Sequence, residues 1–174
     1  LSIEEKKEEA NELNVFPVPD GDTGTNMSLT MASAKNEVSK LAEPDLPAAS
    51  AATASALLRG ARGNSGVILS LLFRGMSKQL KTCKEANGQD LALALQEGVQ
   101  AAYKAVMKPA EGTILTVSRV AAQHVVELCQ SNPDIGCGEV LDAIMEKGQE
   151  ALAETQHQNP VLEKAGVVDA GGFG

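Results

Sequence analysis

Ala48-Ala49-Ser50-Ala51-Ala52-Thr53-Ala54-Ser55-Ala56-Leu57-Leu58 is the run on which the fold class turns. Alanine has the highest intrinsic helix propensity, and its small side chain lets helices approach closely. A sheet would call for β-branched and aromatic residues instead. The rest of the chain shares the bias: 43% of its 174 residues are hydrophobic, but it has three Phe, one Tyr and no Trp. The core must therefore be aliphatic, and this run reads as a helix buried closely against its neighbours.

Working outward, an apolar period near 3.6 recurs over residues 1–13, 25–41, 64–80, 89–107, 112–129 and 138–155. Asn64 or Ser65 is the expected N-cap of the fourth helix. Asn159-Pro160 starts a short eighth helix, since Asn caps and Pro suits the first helical position. Phe16-Pro17-Val18-Pro19 and Glu43-Pro44-Asp45-Leu46-Pro47 break the pattern, and residues 167–172 read as a loop. No alternating strand pattern with hairpin signals occurs. The expected fold class is all-α, in one domain over residues 1–174. The start at Leu1 and the stop after Gly174 are read as those of a fragment of a longer protein.

The stretch richest in chemistry is Asn14-Val15-Phe16-Pro17-Val18-Pro19-Asp20-Gly21-Asp22-Thr23-Gly24-Thr25-Asn26-Met27. Two carboxylates flank one glycine on a Pro-limited turn that feeds a helix. Mg²⁺ is typically held by one or two carboxylates plus substrate phosphate oxygens. Unpaired N–H groups at the start of that helix would add an anion site. A net charge of −8 makes such a cation necessary for holding a polyphosphate. It also leaves no basic face for nucleic acid.

A second glycine-rich stretch, Arg59-Gly60-Ala61-Arg62-Gly63-Asn64-Ser65-Gly66-Val67, also precedes a helix. It is neither a P-loop nor a dinucleotide fingerprint, and a close-packed helix–helix turn explains it equally well. Glu111-Gly112-Thr113-Ile114-Leu115 and Val168-Asp169-Ala170-Gly171-Gly172 are two more such loops. Four of them suggest one rim where helix ends gather around a ligand. His124 reads as structural and His157 as solvated. Cys83, Cys129 and Cys137 lack CxxC spacing and read as reduced thiols. No apolar run reaches the roughly 18 residues of a membrane span, and the expectation is a cytoplasmic protein.

The string from Asn14 to Met27 resembles the signature of the DhaL-type nucleotide-binding domain, in the version that opens the ATP-binding subunit of bacterial fatty acid kinase. Residues 62–66, 111–115 and 167–172 are similar to its other three loops, in the expected order. The resemblance implies an antiparallel barrel of eight amphipathic helices, the last of which would follow Gly174. It implies ATP or ADP and two Mg²⁺ at one end. Asp20 and Asp22 would be the metal ligands at the reaction centre; the dihydroxyacetone kinase relatives have a third, Asp ligand upstream, for which the nearest polar candidate here is Asn14, one residue further off, ligating through its amide oxygen. Thr23, which stands where those relatives have a His, would contact phosphate with Gly24, Thr25 and Asn26. Asn64, Ser65 and Gly66 would form a second phosphate loop. Gly112, Thr113, Ile114 and Leu115, with Asp169, Ala170 and Gly171, would wall the nucleoside. The resemblance further implies a separate protein that presents the acceptor, most directly a fatty-acid-binding subunit whose acyl carboxylate becomes an acyl phosphate. A dihydroxyacetone-binding subunit is the alternative partner, and a non-catalytic regulatory nucleotide-binding module the alternative role.

Overall fold

The computed structural model describes residues 2–174; Leu1, the start of the expected first helix, lies outside the described residues. Six long helices carry the architecture: α3 (Thr23–Val38), α4 (Leu46–Gly60), α5 (Gly63–Leu80), α6 (Gly88–Ala105), α7 (Ile114–Ser131) and α8 (Cys137–Gln158). Four short ones join them: α1 (Ser2–Glu5), α2 (Lys7–Glu12), α9 (Pro160–Ala165) and α10 (Ala170–Phe173). No strand occurs among the described residues. The all-α expectation holds.

Each long helix packs on the next in sequence, and α10 touches α7, α2 and α3. Short connections between sequential neighbours make them antiparallel. Alternation puts the starts of α3, α5 and α7 at one end of the bundle, where residues of all three line one cavity.

Local chemistry explains most helix ends. Asp45 caps α4 by accepting from the Ala48 amide, with Pro47 in the first turn. Asn87 and Asp90 form a reciprocal capping box on α6. Asn159 caps α9, which stops at Gly166 in the left-handed conformation.

Three details depart from the sequence reading. The N-terminal helix is broken at Lys6 into α1 and α2. The cap of α5 is Arg62, in extended conformation, rather than Asn64 or Ser65. Gly63 takes φ +59° there, and a Cβ on it would run into the Asn26 side chain. The turn thus closes two or three residues earlier than the expected polar cap would close it. Residues 170–173 form a helical turn because the Asp169 carboxylate caps it through the Gly172 amide.

The core is aliphatic. One cluster joins Met27 of α3, Leu72 of α5, Val99 and Ala102 of α6, and Leu115 and Ala122 of α7. Another joins Ala92, Val125, Cys129, Ile135 and Val140 across α6, α7 and α8. Each large side chain in them stabilises the fold by about 1.5–3 kcal/mol over its exposed state. The alanine-rich α4 is less buried than its composition suggests. Only Ala54, Ala56 and Leu57 are fully covered, because α4 packs on α3 and α5 and faces solvent on its outer side. The tightest crossing is α5 on α6, where a Cβ on Gly75 would strike the Glu97 carbonyl and one on Gly98 the Leu72 carbonyl.

Candidate functional site

The turn before α3 is held by two asparagines. Asn14 is buried, and its Oδ1 accepts from the Asp22 amide (3.1 Å), the Thr23 amide (3.1 Å) and the Thr23 hydroxyl (2.8 Å). Its Nδ2 donates to the Val18 carbonyl at 2.9 Å. Asn11, on α2, accepts from the Thr25 amide and donates to the Thr25 hydroxyl, both at 3.0 Å. Of the first three amides of α3, only that of Gly24 is left without an acceptor among the described residues. The anticipated row of unpaired N–H groups is therefore absent from this helix start. Side chains 9 and 14 residues upstream have taken them.

The carboxylates are the converse case. Asp22 stands at the N-cap position yet makes no capping hydrogen bond with its side chain. Asp20 is exposed and Asp22 half-buried. Neither carboxylate has a hydrogen bond or ion pair among the described residues.

Unpaired amides are found instead at the start of α5. Arg62 is tied by its amide to the Thr30 hydroxyl, and the first helical bond runs from the Gly66 amide to the Arg62 carbonyl. The N–H groups of Gly63, Asn64 and Ser65 have no acceptor among the described residues, so the positive end of an 18-residue helix is open.

At the start of α7, Asp169 is the organising residue. It is 5% exposed, and its Oδ2 accepts from the Ile114 amide at 2.8 Å and the Gly172 amide at 2.7 Å. Its own amide donates to the Thr155 hydroxyl. Burial pushes its carboxyl up to about 6, against the lowering effect of the amide hydrogen bonds from Gly172, Ile114 and Gly171. One residue thus ties α10, α7 and α8 together, its carboxylate holding α10 and α7 and its amide holding α8.

The connection between α6 and α7 is fixed by a polar cluster. Glu111 accepts from Tyr103, Thr116 and Arg119, and Arg119 also donates to the Tyr103 oxygen. Burial pushes the Glu111 carboxyl up, but the bonds from Thr116 and Arg119 outweigh it and hold the group below the usual carboxylate range.

These elements surround a cavity of about 480 Å³. Asn14, Asp20, Asp22, Thr23, Asn26, Asn64, Ser65, Thr113, Ile114, Leu115, Asp169 and Gly171 line it, so all four glycine-containing loops do meet at one end. Gly24, Thr25, Gly66, Gly112 and Ala170 do not line it. Gly24 is pressed against the Lys7 carbonyl and Ala10 of α2, and Gly66 against Thr30. Their role is to permit close packing behind the wall. The sequence reading missed Phe16, Val67, Ile68 and Lys108, which also line the cavity. Phe16 was visible within the quoted motif; Lys108 lies in a connection that carries no motif.

The residues fit a divalent cation. Two uncommitted carboxylates beside a cavity suit a hard ion. No group of three or more His, Cys, Asp or Glu side chains converges among the described residues, so phosphate and water oxygens would have to complete the shell.

The fold and site define a helical-bundle domain whose free carboxylates and one open helix start gather at a single terminal cavity. Residues 17–174 match the model of the DAK2 domain, and the chain belongs to that family, of DhaL type. It is 52% identical over 162 residues to Protein YloV of Bacillus subtilis (strain 168). It is 51% identical over 162 residues to Uncharacterized protein SAB1090 of Staphylococcus aureus (strain bovine RF122 / ET3-1). Each alignment covers 93% of this chain and 29% of the relative, so the chain spans under a third of those proteins. Family membership makes this a nucleotide-binding module of the dihydroxyacetone-kinase-like, kinase-related type. No helix among the described residues is long and apolar enough to cross a membrane.

Proposed function

We propose that this domain binds ATP with Mg²⁺ through Asp20 and Asp22 and donates the γ-phosphate to an acceptor held by a separate protein. The proposed acceptor is a fatty acid carboxylate, which becomes an acyl phosphate. One observation carries the reading: Asp20 and Asp22, whose carboxylates are uncommitted, and Gly63, Asn64 and Ser65, whose amides are uncommitted among the described residues, line the same cavity of about 480 Å³.

Bound Mg²⁺ would neutralise phosphate charge beside an acidic surface, which is most of what phosphoryl transfer asks of a protein. The Gly63, Asn64 and Ser65 amides orient the phosphate oxygens at the positive end of α5. Ile114 and Leu115 give the nucleoside an apolar wall, fixed through the Ile114 amide by Asp169. Asn14 orients the two aspartates rather than ligating an ion. A carbonyl oxygen has two lone pairs, and three donors already converge on this one. In the transfer, a carboxylate oxygen of the acyl chain forms a bond to the γ-phosphorus while the bond to the β-bridging oxygen breaks, and ADP leaves. An ionised carboxylate has no proton to lose, so this transfer asks for no general base.

The direct test supplies the full-length protein with ATP·Mg²⁺ and an acyl-loaded partner. Acyl phosphate is the expected product; its absence, with the partner shown competent, overturns the acceptor assignment. Calorimetry tests the metal assignment separately. Asp22→Ala should lose Mg²⁺-dependent nucleotide binding sharply while keeping its helicity by circular dichroism, and unchanged affinity would reject the role given to Asp22.

A further inference from the structure

We infer that Lys108 is a phosphate-recognition residue, setting the preference of the cavity for polyphosphorylated nucleotides over monophosphates. The inference rests on the nucleotide reading of the same cavity. Among the described residues, Lys108 is the only cationic residue that lines it, against the acidic residues Asp20, Asp22 and Asp169. Asp169 is buried and already bonded to two amides, so the open charge of the wall is that of Asp20 and Asp22. A polyphosphate that enters there meets two like charges, and Lys108 is the only full positive charge among the described residues that line the cavity.

The connection that carries Lys108 is fixed at its base and free at its tip. Pro109 restricts the backbone beside it. The Thr113 hydroxyl donates to the Ala110 carbonyl at 2.8 Å, and Glu111 is tied to Tyr103 on α6 and Arg119 on α7. The ammonium group of Lys108 has no ion pair or hydrogen bond among the described residues, whereas Lys7, Lys40, Lys147 and Arg119 are all paired. A lysine on a four-carbon stem over an anchored loop can follow a phosphate chain without disturbing the cavity. The Glu111 cluster acts through that loop as a positioning device.

The test is calorimetric titration of the full-length protein with ATP, ADP and AMP in the presence of Mg²⁺, for wild type, Lys108→Ala, Lys108→Arg and Lys104→Ala. Charge-assisted hydrogen bonds of this kind predict about a tenfold loss of ATP affinity in Lys108→Ala. AMP should change by less than about twofold, Lys108→Arg should recover most of the loss, and Lys104→Ala, on α6 and outside the cavity, should behave as wild type. Raising the salt concentration should narrow the gap between wild type and Lys108→Ala, because the contact is partly exposed. Equal losses for ATP and AMP, or no loss for either, would overturn the inference while leaving the cavity a nucleotide site. A wild-type protein that binds none of the three would overturn the nucleotide reading itself.

Discussion

Replacing Asn14 by alanine removes the clasp that holds the Asp20–Asp22 turn on α3. Four hydrogen bonds disappear, from 2.8 to 3.1 Å long, three on the oxygen and one from the amide nitrogen. At a net ~1 kcal/mol each the upper bound is about 4 kcal/mol. The Asp22 and Thr23 amides are only part-buried, and water can reach them once the asparagine is gone, so about half of that should be lost. A loss of about 2 kcal/mol in a domain of this size lowers Tm by roughly 4–8 °C. The larger effect should fall on binding. With the turn unpinned, Asp20 and Asp22 lose their fixed place at the cavity, and on the proposed metal role Mg²⁺-dependent ATP affinity should drop by about tenfold or more. The assay is thermal unfolding followed by circular dichroism, with calorimetric titration of ATP with and without Mg²⁺. A variant with unchanged Tm and unchanged metal-dependent affinity would refute the claim that Asn14 organises the site.

Two further predictions concern the frame around the cavity. Asp169 has a folded-state pKa near 6, above its ordinary value of 3.8, because burial penalises the charge. Its contribution to stability is therefore complete below about pH 4 and is lost as pH rises through about 6, a difference of roughly 3 kcal/mol. Asp169→Asn keeps an oxygen for the Ile114 and Gly172 amides and cannot ionise. The stability of wild type relative to this variant should fall between pH 4 and 7, and parallel Tm profiles would contradict the assignment. Gly98→Ala drives a Cβ into the Leu72 carbonyl of α5. Overpacking of about 1–3 kcal/mol should exceed the ~1 kcal/mol that alanine gains in helix propensity, so the midpoint of urea unfolding should fall; a rise would mean that the α5–α6 crossing yields easily.

The sequence alone determined the helices and the gathering of their ends. Helices follow from local periodicity, caps and breakers, which act within a turn or two of the chain. The Pro-limited turn, Asn159-Pro160 and the apolar stripes were therefore legible by eye. The four glycine-containing loops were legible as a rim because antiparallel helices of similar length must return their starts to one end. What only the tertiary structure decided is which polar atoms remain free there. Asn14 and Asn11 consume the Thr23 and Thr25 amides of α3, while at α5 only the Arg62 amide is taken, by Thr30, and the next three stay open among the described residues. Asp169 reaches across 55 residues to the Ile114 amide, and Lys108 lines the cavity from a stretch without a motif. A hydrogen bond of this kind is satisfied by whichever group folding brings within 3 Å, and spacing along the chain does not encode that distance.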